Sequence, residues 1–118
     1  MKNVILDKSL EFAVRIVNLS KFLNSEKKEF VLSKQIIRSG TAIGVLVREA
    51  QQAESSADFI HKLSIALKEA DETDYWLILL NRTEYLNETQ YKSLKENIEE
   101  LIKLLISIIK SSKENNKK

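Results

Sequence analysis

Apolar residues recur along this chain at steps of three and four, the spacing of one face of an α-helix. The clearest run is Phe59, Leu63, Ala66, Ala70, Thr73, Leu77 and Leu80, which keeps that spacing over three heptads. It predicts a helix over residues 55–81, with Ser55 or Ser56 as the N-cap and Asp58 in the first turn. Upstream, Leu32, Ile36, Ile43, Val47 and Ala50 predict a helix over 26–53, with Ser25 as its cap. Gly40 fills the gap in that stripe and Gly44 lies one turn on. Each glycine costs a helix interior about 1 kcal/mol relative to alanine. Two of them, four apart, predict the close approach of another backbone. The short link between these helices makes them antiparallel neighbours.

The flanking helices carry more apolar surface. A first helix over 5–24 has two stripes, one of Leu6, Leu10, Ala13 and Val17 and one of Phe12, Ile16, Leu19 and Leu23. A fourth helix over 87–112 opens with Asn87 and Gln90 in a capping-box-like pair. Its core stripe reads Leu94, Ile98, Leu101, Leu105 and Ile108. Ile102, Ile106 and Ile109 form a second stripe, widened by Leu104. Residues 113–118 are polar and are expected to be a disordered tail. The pattern predicts an all-α, antiparallel up-down-up-down four-helix bundle in one domain, residues 1–112. A lone bundle needs one apolar stripe per helix. Surplus stripes on the first and fourth helices therefore predict a homo-oligomer.

Composition narrows the chemistry. The 118 residues include no proline, no cysteine and two glycines. That removes disulfides, thiolate metal sites, cysteine nucleophiles and Gly-rich phosphate loops, along with the turn chemistry of β-rich folds. The start, Met1 to Leu6, is followed by Asp7 and Lys8, which interrupt the short apolar run and give no secretory pattern. No apolar run approaches the ~20 residues that span a bilayer. The expected compartment is the cytoplasm, with no membrane partner.

Charge is nearly balanced, with 19 basic and 17 acidic residues. Residues 55–86 are net acidic and both flanking segments are net basic. This distribution admits two readings, pairing within or between chains and ordinary solvated helix faces. His61 is the only histidine, and its i, i+3 partner Asp58 lacks the second histidine-bearing motif that a di-metal bundle needs. A serine triad lacks partners, and the chain has no Arg-x-x-x-x-His pair of the kind some helical ribonucleases use. No catalytic residue, metal or cofactor is expected.

Two charged stripes flank the core positions. One is Gln35, Arg38, Ala42, Val45 and Glu49; the other is Lys62, Ile65, Glu69, Glu72 and Trp76. They admit two readings. One is pairing within the bundle, for example Arg38 with Glu69 or Glu72, worth ~0–1 kcal/mol per exposed pair. The other is a subunit interface, where Arg and Trp are favoured anchors, joined by Ile102, Ile106 and Ile109. Arg15, Lys34, Arg38, Arg48 and Lys62 are the candidate contacts to RNA, DNA or a partner protein. A symmetric ring would multiply their field.

The runs Gln35 to Ile43, Arg48-Glu49-Ala50, Ser55 to Glu69 and Glu72 to Leu80 resemble the bacterial four-helix bundle protein family. That family includes proteins encoded in intervening sequences of large-subunit ribosomal RNA genes. The resemblance runs from about Leu6 to Ile109. It implies a homopentameric ring without enzymatic activity. A related protein, the accessory variability determinant of diversity-generating retroelements, is a pentamer that binds a reverse transcriptase and nucleic acid. The resemblance thereby implies such partners, with Arg38, Arg48 and Lys62 as candidate positions. The chain departs from the family pattern at Ala42, usually a small polar residue, and at Leu46, usually asparagine. Leucine in place of asparagine stabilises a dry core site by ~1–3 kcal/mol, which places Leu46 in the core.

Overall fold

The structure is a computed structural model that describes residues 3–116. Four helices account for most of it: α1 (Val4–Ser25), α2 (Val31–Ala50), α3 (Ser56–Arg82) and α4 (Glu88–Asn116). Each packs on its neighbours in chain order, α1 on α2, α2 on α3 and α3 on α4. A lighter α1–α4 contact closes the circle, and among the described residues the diagonal helices do not bring their backbones as close. This is the up-down-up-down bundle that the stripes predict. It forms a rod of 52 × 25 × 21 Å.

Helix starts follow side-chain chemistry. At α3, the Ser55 hydroxyl accepts the Asp58 N–H at 3.0 Å. At α4, Asn87 and Gln90 cap reciprocally: the Gln90 N–H reaches Asn87 Oδ1 at 2.8 Å, and the Asn87 N–H reaches Gln90 Oε1 at 3.0 Å. At α1, Asn3 Oδ1 accepts the Leu6 N–H at 3.2 Å.

The start of α2 differs from expectation. Ser25 is the last residue of α1 and donates back to the Lys21 carbonyl. The helix begins at Val31, five residues later than predicted, and its cap is Glu29. That side chain is 8% exposed. Its carboxylate accepts the N–H groups of Val31, Leu32 and Ser33 at 2.6–3.3 Å. A negative charge there also meets the positive end of the helix dipole. Lys28, at φ 53°, reverses the chain just before it. The far end of α2 stops at Ala50 rather than 53.

The C-terminal correction runs the other way. Residues 113–116 are helical, not a disordered tail. No glycine or proline stops α4, so backbone bonds continue through Asn116. Lys113 in the last turn complements the dipole. Lys117 and Lys118, the remainder of the expected tail, lie outside the described residues. At the end of α3, Glu84 takes the left-handed position at φ 69°. Around it Tyr85 N–H bonds the Leu80 carbonyl and Glu84 N–H bonds the Asn81 carbonyl. These are the two bonds of a Schellman cap.

The core decides between the paired stripes. In α1 it takes Phe12, Ile16, Leu19 and Leu23, joined by Ile5. In α4 it takes Leu94, Ile98, Leu101, Leu105 and Ile109; Ile108, expected in that row, is only partly buried. Leu46, Leu32 and Phe59 also pack against the core without being enclosed by it. The glycines bring α1 close, as their spacing predicts. A Cβ on Gly40 would lie 2.8 Å from Ile16 Cγ1, and one on Gly44 would lie 3.4 Å from the Ser9 carbonyl oxygen. Two hydroxyl pairs tie the layers inside the core: Ser20 with Ser33 at 2.8 Å and Thr73 with Ser39 at 2.9 Å. Among the described residues, no buried side-chain polar atom lacks a partner.

Candidate interaction surfaces

The two charged stripes meet along the α2–α3 seam. Arg38 reaches Glu69 at 2.9 Å and also bonds Glu72. Glu72 accepts the Trp76 indole N–H at 3.1 Å. Farther along, Lys62 pairs with Glu49 at 3.2 Å. The hydrogen bond from Arg38 to Glu72 holds its guanidinium charge more firmly than usual, raising the pKa against a small desolvation cost. The pairs within the subunit that these stripes predict are formed. Gln35 stays exposed and Ile65 is half-buried at the same seam.

The five candidate basic residues do not converge. Arg38 and Lys62 are paired with carboxylates on the α2–α3 seam. Arg15 spans the α1–α4 seam, donating to the Ser93 carbonyl at 3.3 Å and to Asn97. Arg48 is exposed beside a groove between α1 and α2. Lys34 is exposed near the start of α2.

That groove is an uncovered apolar feature joining two helices. It has a volume of about 480 Å³ and runs along Leu6, Leu10 and Ala13 of α1 and Thr41, Gly44 and Val45 of α2. Small residues at Ala13 and Gly44 give it depth. Leu10 is 63% exposed, Val45 56%, and Val14, one turn beyond Leu10, 54%. Asp7 and Arg48 border it with opposite charges. The surplus stripe of α1 therefore faces outward here. On α4 the outward set is smaller than expected. Ile109, expected at the interface, is buried within the subunit, where it joins the Leu101 and Leu105 side of the helix in the core. Ile102 is half-buried against the core, and Ile106 alone of the three is exposed.

His61 is exposed, and Asp58 accepts the Glu54 N–H. No cluster of three or more potential metal-ligating side chains occurs among the described residues. None of their helices is long and apolar enough to cross a membrane. Sequence reasoning left Leu10 and Val14 out of the site set because periodicity does not rank two stripes on one helix. It missed Phe30 and Val31, both exposed, because it placed them inside a helix.

This fold and these surfaces define a small bundle whose open features are faces and turns. The sequence profile of the 23S rRNA-intervening sequence protein family matches residues 1–107. The chain belongs to that family. A solved structure from Bacteroides thetaiotaomicron VPI-5482, described as a protein of unknown function from the S23 ribosomal protein family, is 68% identical. Its TM-score is 0.89, and the match covers 90% of this chain and 98% of that one. No curated protein matches the chain.

Proposed function

We propose that the chain is a non-catalytic subunit of a homo-oligomer, a ring of five by family resemblance, that binds nucleic acid or a nucleic-acid-handling protein. The observation that carries the assembly is the uncovered apolar face of Leu10, Val14 and Val45 around the α1–α2 groove. Continuous apolar surface of this kind on a small bundle favours a second subunit over water. The family name, which ties its members to ribosomal RNA genes, supports the nucleic-acid half. Arg15, Lys34 and Arg48 are the candidate cations with no carboxylate partner among the described residues, and of these Arg15 is tied to Ser93 and Asn97. The neutralisation of Arg38 and Lys62 favours the second reading, a protein–protein module without nucleic-acid affinity.

Two measurements test this. Light scattering on the full chain is expected to give a multiple of 13.6 kDa, and Leu10→Glu is expected to reduce it. A monomeric wild type overturns the assembly. Anisotropy of labelled structured RNA and duplex DNA at ~50 and ~200 mM salt tests the partner. Phosphate contacts weaken by orders of magnitude over that range. An absence of binding at the lower salt leaves the protein–protein module.

A further inference from the structure

The turn between α1 and α2 gathers cations that the bundle does not neutralise. Lys27 and Lys28 lie in it and Lys34 follows one turn into α2. All three are exposed, and none has a carboxylate within 4 Å among the described residues. Lys8, Arg38, Lys62 and Lys95 are paired. Arg48, Lys92, Lys103 and Lys110 elsewhere on the bundle are also without a carboxylate within 4 Å among the described residues. What distinguishes this turn is the exposed aromatic beside its lysines. The turn also carries two acids. Glu29 points inward and its carboxylate holds the first N–H groups of α2, while Glu26, just before Lys27, is exposed and lies within 4 Å of none of the three lysines.

Between those lysines the chain displays apolar surface. Phe30 is 58% exposed and Val31 74%. No other two large exposed apolar residues are adjacent in sequence among the described residues. Phe30 is not a loose end. It is the N-cap residue of α2, fixed between the buried Glu29 and the first helical turn. Lys34, four residues beyond Phe30 and three beyond Val31, falls on the same side of the helix. A fixed, exposed ring among unpaired cations suits a ligand with both a flat face and negative charge. Lys27 also borders a depression of about 480 Å³ that includes Phe22, Glu84 and Gln90, and its ammonium lies 5.8 Å from the Phe22 ring.

We propose that this turn is a contact site for single-stranded polynucleotide, with Phe30 as a stacking platform and Lys27, Lys28 and Lys34 on the phosphates. The proposal rests on the nucleic-acid branch of the function above and gives it a place. Single strands fit better than duplexes, because a lone ring stacks only on a base whose face is free. A bilayer surface fits less well, since an interfacial helix presents a long apolar face and here two residues stand alone.

The test is anisotropy of labelled oligouridine, oligothymidine and a duplex DNA of equal length with the full chain. Wild type is expected to prefer the single strands. Phe30→Ala is expected to weaken binding by about tenfold, within the range of one stacked base, with the salt slope unchanged. Lys27→Ala with Lys34→Ala is expected to weaken binding and flatten that slope. Thermal melts confirm that these surface variants fold. Binding to which both variants are indifferent, while Arg48→Ala weakens it, overturns this site and keeps the scaffold reading. No binding to any probe overturns both. A preference for duplex overturns the stacking role. Displacement of the oligonucleotide by anionic vesicles reassigns the turn to a lipid surface.

Discussion

Gly40 of α2 sits directly against Ile16 of α1, so close that a methyl group on Gly40 would meet the Ile16 side chain at 2.8–2.9 Å. Ile16 is fully buried and branched at Cβ, so it has nowhere to swing. Gly44, one turn on, faces Ser9, its backbone and its hydroxyl, at ordinary contact distances of 3.4–3.7 Å. The same substitution should therefore have opposite signs at the two sites. Gly40→Ala is expected to cost about 1 kcal/mol net, overpacking outweighing the gain in helix propensity. Gly44→Ala should stabilise by up to about 1 kcal/mol. Urea unfolding followed by circular dichroism measures both. Equal shifts of the same sign would remove the close contact as the reason for Gly40.

The Glu29 cap gives a second expectation. Its carboxylate satisfies N–H groups that no helical carbonyl can reach. Glu29→Ala should destabilise the protein by about 1–2 kcal/mol, and Glu29→Gln by less, because an amide oxygen still accepts but carries no charge. A Glu29→Ala protein as stable as wild type would mean that water replaces the cap at no cost.

Lys95 bonds Asp74 at 2.6 Å across the α3–α4 seam, with both side chains about three-quarters buried. Burial works against the lysine charge, but the hydrogen bond and the attraction of Asp74 raise its pKa overall. A group whose folded pKa is raised stabilises the fold fully below its unfolded value. That contribution fades as pH climbs past the ordinary 10.5 and through the raised folded value. Lys95→Met, which keeps the aliphatic stem, is expected to melt below wild type at neutral pH. The gap should close at strongly alkaline pH. A gap independent of pH would assign the effect to packing.

Leu46 packs against the core without being enclosed by it. Leu46→Asn is expected to lower stability by about 1 kcal/mol, the low end for losing buried apolar area. An unchanged or higher melting temperature would show that the site is wet enough to solvate an amide.

The charged seam shows why the candidate sites were only partly legible. Steps of three and four placed Arg38, Glu69 and Glu72 at the edge of the core, where pairing within the bundle and pairing between subunits look alike in sequence. The choice depends on the distance between two helices, which no local pattern encodes. The exposed turn at Phe30 was hidden for a related reason. Lys-Lys-Glu-Phe-Val carries no glycine or proline to mark a break. The break is made by a buried carboxylate and a left-handed lysine.

By itself, the sequence determined the number and order of the helices, a serine cap at Ser55 or Ser56, the cap at Asn87, and the glycine pair that admits α1. Each follows from a local rule: a 3.6-residue period, a side chain within reach of its own backbone, or a missing Cβ. Only the tertiary structure decided which stripe of α1 is buried, that Ile109 rather than Ile108 enters the core, and that the Glu29 carboxylate caps the start of α2. A helix with two apolar faces has two acceptable rotations about its axis, and the neighbouring helices select between them by the volume they leave to fill.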